Sequence, residues 1–113
     1  MQLTFIETAL FSRLLPGYLT DDEFAQLQQR LLTGPTQGVL IKGTGGFRKL
    51  RWVAPSNAKG KRSGLRIIYY YLPATQEVWL FTLYRKGEML DLTPDERSML
   101  SKRIHSELKI PRK

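Results

Sequence analysis

The sequence predicts one small α+β domain, with helices near both ends and strands between them. Apolar residues recur at helical spacing in residues 20–33 and 93–108, and each segment opens with a capping signal. Residues 47–53 alternate in the period of a strand, and residues 65–72 and 77–84 are rich in β-branched and aromatic types. Since turns join these three strands in succession, an antiparallel meander is the simplest topology.

The N-terminal part predicts a short strand over residues 2–7 and a helix over residues 9–15. The next helix has the clearest signals, because Thr20 followed three residues later by Glu23 is a capping box and a Gly-Pro pair at 34–35 ends the segment. With 113 residues, of which 42% are hydrophobic, the chain is long enough to bury the core of a single domain spanning its whole length, residues 1–113.

The strand that begins at Phe47 is predicted to have two different faces. Side chains alternate along a strand, so Leu50 and Trp52 point one way, and Phe47, Lys49 and Arg51 point the other. Residues 54–63 contain proline, asparagine and glycine, which predicts a long loop before the next strand.

Positive charge is concentrated in the middle of the chain. The formal net charge is +8, and residues 24–76 hold nine Lys and Arg residues but no Asp or Glu. Such clustering is typical of proteins that bind phosphates. The basic residues fall on predicted strands and a loop, not on an amphipathic helix, and no apolar run is long enough to span a bilayer. We therefore expect a nucleic-acid partner and no membrane, and the absence of cysteine favours a cytoplasmic location.

Residue types exclude several kinds of site. The absence of cysteine excludes disulfides, thiol catalysis and thiolate metal sites. The only histidine, His105, argues against a histidine metal cluster or a Ser-His-Asp triad. The glycine-rich run at 43–46 precedes a predicted strand, whereas a phosphate-binding P-loop precedes a helix. We predict no metal and no cofactor.

Basic and aromatic residues are expected to converge if the meander forms. These are Lys49 and Arg51 on one strand, Arg66 on the next, and Tyr84, Arg85 and Lys86 at the end of the last. Cations there would bind phosphates and aromatic rings would stack on unpaired bases, which favours single-stranded RNA over duplex DNA. RNA cleavage needs no histidine where the protein orients a 2′-hydroxyl for in-line attack and stabilises the phosphoryl charge. The alternative is a non-catalytic RNA- or DNA-binding regulatory module.

Three motifs occur in a characteristic order, namely IKGTGGFRKLR at 41–51, KGKRSGLRIIYY at 59–70 and TLYRKGEMLDLT at 82–93. In these motifs the chain resembles the HigB branch of the RelE-like toxins of bacterial type II toxin–antitoxin systems. The resemblance implies two N-terminal helices packed on a small, twisted, mainly antiparallel sheet, with a C-terminal helix. It also implies an activity, the metal-independent cleavage of messenger RNA in the ribosomal A site, which inhibits translation while the ribosome orients the substrate.

The resemblance further implies partners and residue roles. The partners are the ribosome, mRNA and a cognate antitoxin, which is usually a helix-turn-helix protein. Operator DNA is expected to be bound only by the complex of toxin and antitoxin. Lys49 and Arg51 match the basic pair of the family, Arg66 its phosphate-binding arginine, and Lys86 the basic residue after the last strand, with Tyr84 beside it. Contacts with RNA or the ribosome are predicted for Arg48, Lys59, Lys61, Arg62 and Arg85. Tyr84, Glu88 and ribosomal RNA are open candidates for proton transfer.

Overall fold

A computed structural model of the chain describes residues 2–53, 64–85, 87–88 and 102. The elements in these residues are β1 (Thr4–Glu7), α1 (Ala9–Leu14), a 3-10 turn (Leu15–Gly17), α2 (Asp21–Thr33), β2 (Val39–Leu40), β3 (Phe47–Trp52), β4 (Leu65–Leu72) and β5 (Glu77–Arg85). The α+β prediction is confirmed. The predicted C-terminal helix over 93–108 and the predicted loop over 54–63 lie outside the described residues, apart from Lys102.

The described strands form one five-stranded mixed sheet in the order β1-β5-β4-β3-β2. The predicted meander is confirmed, because β3 pairs antiparallel with β4 and β4 pairs antiparallel with β5. β1 adds to the outer edge of β5 in parallel, so that the first strand and the last described strand are neighbours. β2 was not predicted, since its two residues are too short for any periodicity to show.

Both described α-helices begin at side-chain caps. The predicted capping box of α2 is confirmed: the Thr20 hydroxyl accepts from the Glu23 backbone N–H at 3.1 Å, and the Glu23 carboxylate accepts from the Thr20 N–H at 2.9 Å. At α1 the Thr8 hydroxyl accepts from the N–H of Phe11 and donates to the carbonyl of Phe81, 2.8 Å away in β5. Thr8 thus caps the helix and fastens its start to the sheet.

The sheet has two different faces, and the main core lies on one of them. On this helix-facing side, buried residues of the helices pack against inward residues of all three long strands. They include Phe11, Leu27 and Leu31 from the helices and Leu50, Trp52, Ile67, Leu80 and Leu83 from the strands. The opposite side, called here the second face, has a smaller buried cluster of Phe47, Ile68 and Phe81. The predicted division of β3, with Leu50 and Trp52 opposite Phe47, Lys49 and Arg51, agrees with these two clusters.

A β-bulge interrupts the ladder between β4 and β5. Ile68 pairs with Thr82, but the next residue, Tyr69, pairs with Leu80, which leaves Phe81 as the extra residue of β5. Phe81 and Thr82 therefore belong to the same side of the sheet. Before the bulge, even-numbered residues of β5 such as Leu80 face the helices, and after it they face away.

Tyr69 joins the sheet to the segment that follows α2. Its ring is fully buried, and its hydroxyl donates to the Pro35 carbonyl at 2.8 Å and accepts from the Gly38 N–H at 2.9 Å. Burial raises the pKa of this phenol, while the Gly38 hydrogen bond acts in the opposite direction. The hydroxyl thus satisfies two buried backbone groups.

We predict that Tyr69→Phe destabilises the protein by about 1–3 kcal/mol, because it leaves a buried donor and a buried acceptor without their partner. The measurement is urea unfolding followed by circular dichroism. Tyr70→Phe is the matched control, since the Tyr70 hydroxyl makes only an exposed 3.2 Å bond to the Gly45 carbonyl and its loss changes stability little. Equal effects of the two substitutions would contradict this account of Tyr69.

Candidate functional site

A row of two arginines and a tyrosine crosses the second face of the sheet. Arg51 in β3 pairs with Arg66 in β4, and Arg66 pairs in turn with Tyr84 in β5. Directly paired residues of antiparallel strands have Cα atoms about 5 Å apart and point to the same side. Arg51 is exposed and the other two are partly buried. The register therefore places two guanidinium groups and a phenol side by side.

Lys49 extends the positive charge of this row. It lies two residues before Arg51 on the same side of β3, and its partner in β4 is Ile68. Lys49, Arg51 and Arg66 therefore carry like charges on neighbouring strands of one face. Of the predicted catalytic residues, the structure thus brings Lys49, Arg51, Arg66 and Tyr84 to one surface.

The position of Tyr84 depends on the bulge at Phe81. In an uninterrupted strand, Tyr84 would share a side with Leu80, which is fully buried against the helices. The extra residue reverses the alternation, so that Tyr84 instead pairs with Arg66 and packs beside the cluster of the second face. Without the bulge, the row would consist of the two arginines alone.

Arg48 lies on the helix-facing side of the sheet, away from this row. Its guanidinium Nη1 donates to the carbonyls of Thr36 at 3.1 Å and Gly38 at 2.8 Å. Its neighbour in the ladder is the buried Tyr69, which binds the same segment. The structure therefore gives Arg48 a role in fixing the link after α2 and does not bring it together with Lys49 and Arg51.

Arg85 and Glu88, two further predicted residues, form a cluster with Tyr18 from the helical layer. The Tyr18 hydroxyl donates to Glu88 Oε1 at 2.6 Å, and the Arg85 backbone N–H donates to the same oxygen at 2.7 Å. The Arg85 guanidinium lies 4.8 Å from the centre of the Tyr18 ring and 3.9 Å from Glu88 Oε2. The sequence around Tyr18 does not predict this contact, because no local pattern pairs Tyr18 with a residue 70 positions away.

Hydrogen bonding shifts the pKa values of Tyr18 and Glu88 in opposite directions. The Tyr18 hydrogen bond and then the Arg85 N–H lower the pKa of the Glu88 carboxyl below its usual range. The hydrogen bond to Glu88, followed by burial and by the Glu88 charge, raises the pKa of Tyr18, although Arg85 opposes the change. At neutral pH, Glu88 is therefore a carboxylate that already accepts two hydrogen bonds.

The basic residues of the central segment are divided between the two sides of the sheet. The Arg30 side chain in α2 binds Gln37, so Arg30 holds the same link as Arg48. Lys42 lies exposed beside the glycine-rich turn. The remaining predicted basic residues, Lys59, Lys61, Arg62 and Lys86, lie outside the described residues.

Two further findings concern the described part of the chain. None of its helices is both long and apolar enough to cross a membrane. Within the same residues, His, Asp and Glu side chains do not gather in a group that could hold a metal ion.

No protein-family model matches this sequence. Among solved structures, the chain is similar to RelE of the archaeal RelE–RelB complex from Pyrococcus horikoshii OT3, with a TM-score of 0.53 and 15% identity. The match covers 79% of this chain and 100% of that chain. The fold is RelE-like. At this identity the similarity establishes the architecture, in which a mixed sheet packs against two N-terminal helices.

The Tyr18–Glu88 contact is predicted to stabilise the fold only at pH values between the pKa of Glu88 and the pKa of Tyr18. Because the pKa of Glu88 is lowered in the folded protein, this group adds to the free energy of unfolding. Its contribution is complete above about pH 4.3 and is lost as the pH falls through the folded-state pKa. Because the pKa of Tyr18 is raised in the folded protein, this group also adds to the free energy of unfolding. Its contribution is complete below about pH 10 and is lost as the pH rises through the folded-state pKa.

The measurement is urea unfolding of the wild type and Tyr18→Phe across this pH range. We expect the wild type to be the more stable protein near neutral pH and its advantage to shrink at both extremes. An advantage that is the same at every pH would show that the hydrogen bond does not depend on the charge of Glu88.

Proposed function

We propose that this protein is the toxin of a type II toxin–antitoxin system and acts as a ribosome-dependent, metal-independent mRNA endonuclease. The observation that carries the proposal is the row of Arg51, Arg66 and Tyr84, with Lys49 beside it, on one face of a RelE-like fold. The motif order of the HigB branch supports the same function. The proposed site of action is the ribosomal A site, in the cytoplasm.

The chemistry proposed for this row is attack of an RNA 2′-hydroxyl on its own phosphate. The 2′-hydroxyl loses its proton as its oxygen bonds to phosphorus, and the 5′-oxygen of the next nucleotide leaves and gains a proton, which gives a 2′,3′-cyclic phosphate and a free 5′-hydroxyl. Arg51 and Arg66 would stabilise the charge that develops on the phosphoryl oxygens, and Lys49 would bind a neighbouring phosphate. Because arginine and lysine are protonated at neutral pH, they are poor bases, and the orientation supplied by the ribosome carries much of the catalysis.

Tyr84 is a better candidate than Glu88 for proton transfer. Tyr84 pairs directly with Arg66, whereas the Glu88 carboxylate accepts hydrogen bonds from Tyr18 and from the backbone of Arg85. Glu88 is held by these contacts at the end of β5. We therefore assign Glu88 to local structure and Tyr84 to the reacting phosphate.

The proposed partners follow from the same function. They are the ribosome with its mRNA, and a cognate antitoxin, which we expect to be a helix-turn-helix protein that binds operator DNA in complex with the toxin. The similar RelE is itself seen in a complex with RelB, which supports an antitoxin partner for this chain.

Arg66→Ala is expected to reduce mRNA cleavage about 100-fold or more, the usual cost of removing a group that stabilises transition-state charge. The measurement is primer extension on mRNA translated in a purified system. Arg13→Ala is the charge-matched control, because Arg13 is an exposed residue of α1 in the helical layer, and it should cleave like the wild type. Equal cleavage by all three proteins would contradict the assigned site.

The wild-type protein in the same assay tests the activity itself. Cleavage that requires translating ribosomes supports the proposal. Salt-sensitive RNA binding by the wild type without any strand scission would instead establish the non-catalytic binding module.

Tyr84→Phe is expected to reduce the cleavage rate by about 100-fold, in the range of a lost general acid or base. Glu88→Gln keeps an oxygen that accepts from Tyr18 and the Arg85 N–H, so it should retain most of the activity. The measurement is the single-turnover rate on programmed ribosomes as a function of pH. A larger loss in Glu88→Gln than in Tyr84→Phe would reverse the assignment of proton transfer.

A further inference from the structure

We propose that Tyr70 and Trp79, at the end of the second face away from the arginines, form a subsite that stacks a base of single-stranded RNA. This base would belong to a nucleotide next to the phosphate held by Arg51 and Arg66. The proposal rests on the proposed function, since it extends the same RNA-binding surface.

The register places an aromatic row parallel to the cationic one. Phe47 in β3 pairs with Tyr70 in β4, which pairs with Trp79 in β5. Phe47 lies four residues before Arg51 along the same strand, so the two rows are about 13 Å apart. Lys49 lies between them on the same side. An extended RNA strand bound by the cations therefore has the aromatic row within reach of an adjoining base.

The packing of Tyr70 and Trp79 fixes their rings and occupies their polar atoms. Phe47 is fully buried, and its ring meets the Tyr70 ring edge-on, with centroids 5.3 Å apart at 77°. The Tyr70 hydroxyl donates to the Gly45 carbonyl at 3.2 Å, and the Trp79 indole N–H donates to Glu77 Oε1 at 3.1 Å. Both side chains remain partly exposed. They therefore offer a ligand mainly aromatic surface, which suits stacking without selection among bases.

Charge distinguishes what each end of the second face can bind. The arginine end attracts phosphate, whereas the Glu77 carboxylate beside Trp79 repels it. A nucleobase is uncharged and has two aromatic faces, so it is the part of a nucleotide that fits the aromatic end. The adjacent Tyr71 packs against the helix-facing core instead, which makes it a natural comparison for Tyr70.

The two tryptophans of the chain give a direct reporter of binding. Trp52 is 4% exposed and lies in the helix-facing core, so a ligand on the second face can reach only Trp79. Two probes are titrated against the wild-type protein: a short single-stranded oligoadenylate, and polyphosphate, which carries phosphate charge without bases. We expect oligoadenylate to quench the fluorescence of Trp79 and polyphosphate to bind with little quenching.

Substitutions test the aromatic pair separately from the arginines, with binding followed by fluorescence anisotropy of labelled oligoadenylate. Tyr70→Leu and Trp79→Leu should each weaken binding by about 5-fold to 100-fold, the range for one lost base–aromatic stack. Tyr70→Phe keeps the ring and should bind like the wild type, as should the control Tyr71→Leu. Polyphosphate affinity should be unchanged in all four variants.

Two results would overturn the subsite. Oligoadenylate affinity that is unchanged in Tyr70→Leu and Trp79→Leu, but reduced in Arg66→Ala, would show that the strand is held by phosphates alone and would leave the proposed function intact. Affinity for both probes that is unchanged in Arg66→Ala would remove the phosphate site itself, and the proposed function would fail together with the subsite.

Discussion

The composition of the second face depends on one extra residue in β5. If the ladder between β4 and β5 ran without interruption, Tyr84 would lie against the helices beside Leu80 and Arg66 would face a different partner. The bulge at Phe81 changes which residues meet, because it turns both Phe81 and Thr82 to the second face. Phe81 then packs on the second face, where the centroid of its ring lies 5.1 Å from that of Phe47. The same irregularity thus builds the small second core and moves the tyrosine to the arginines.

The sequence predicted those features that arise from local physical chemistry. The capping box of α2 needs only Thr20 and Glu23, three residues apart, and the two faces of β3 follow from strict alternation. The convergence of Lys49, Arg51 and Arg66 follows once the meander is assumed. Other features depend on contacts distant in sequence. The parallel pairing of β1 with β5, the bulge and the Tyr18–Glu88 contact join segments some 70 residues apart or break a local period, so no short pattern indicates them.

Net charge alone is a weak guide to where a phosphate binds in this chain. All nine basic residues of the central segment have the same formal charge, but the structure uses those it describes differently. Arg48 binds backbone carbonyls of the segment after α2 and Arg30 binds Gln37 in the same segment, so both arginines fix the segment that follows α2. Arg51 and Arg66 lie on the opposite side of the sheet, on the second face. Alternation thus sends two neighbouring residues of one strand to opposite faces: Arg48 lies toward the segment after α2, and Lys49 lies on the face of the proposed RNA site.

The pairing of three strands holds the backbone of the proposed site in a fixed arrangement, which matters because histidine is absent from its described residues. Strand pairing fixes the backbone spacing between Arg51, Arg66 and Tyr84, so the proposed site needs little backbone reorganisation when charge develops on a phosphate. A short RNA that binds by charge alone is free to adopt many conformations, of which few place the 2′-hydroxyl in line with the leaving oxygen. Contacts that restrict the strand on either side of the phosphate, whether from a ribosome or from an aromatic surface beyond Lys49, therefore contribute directly to the rate that such a site can reach.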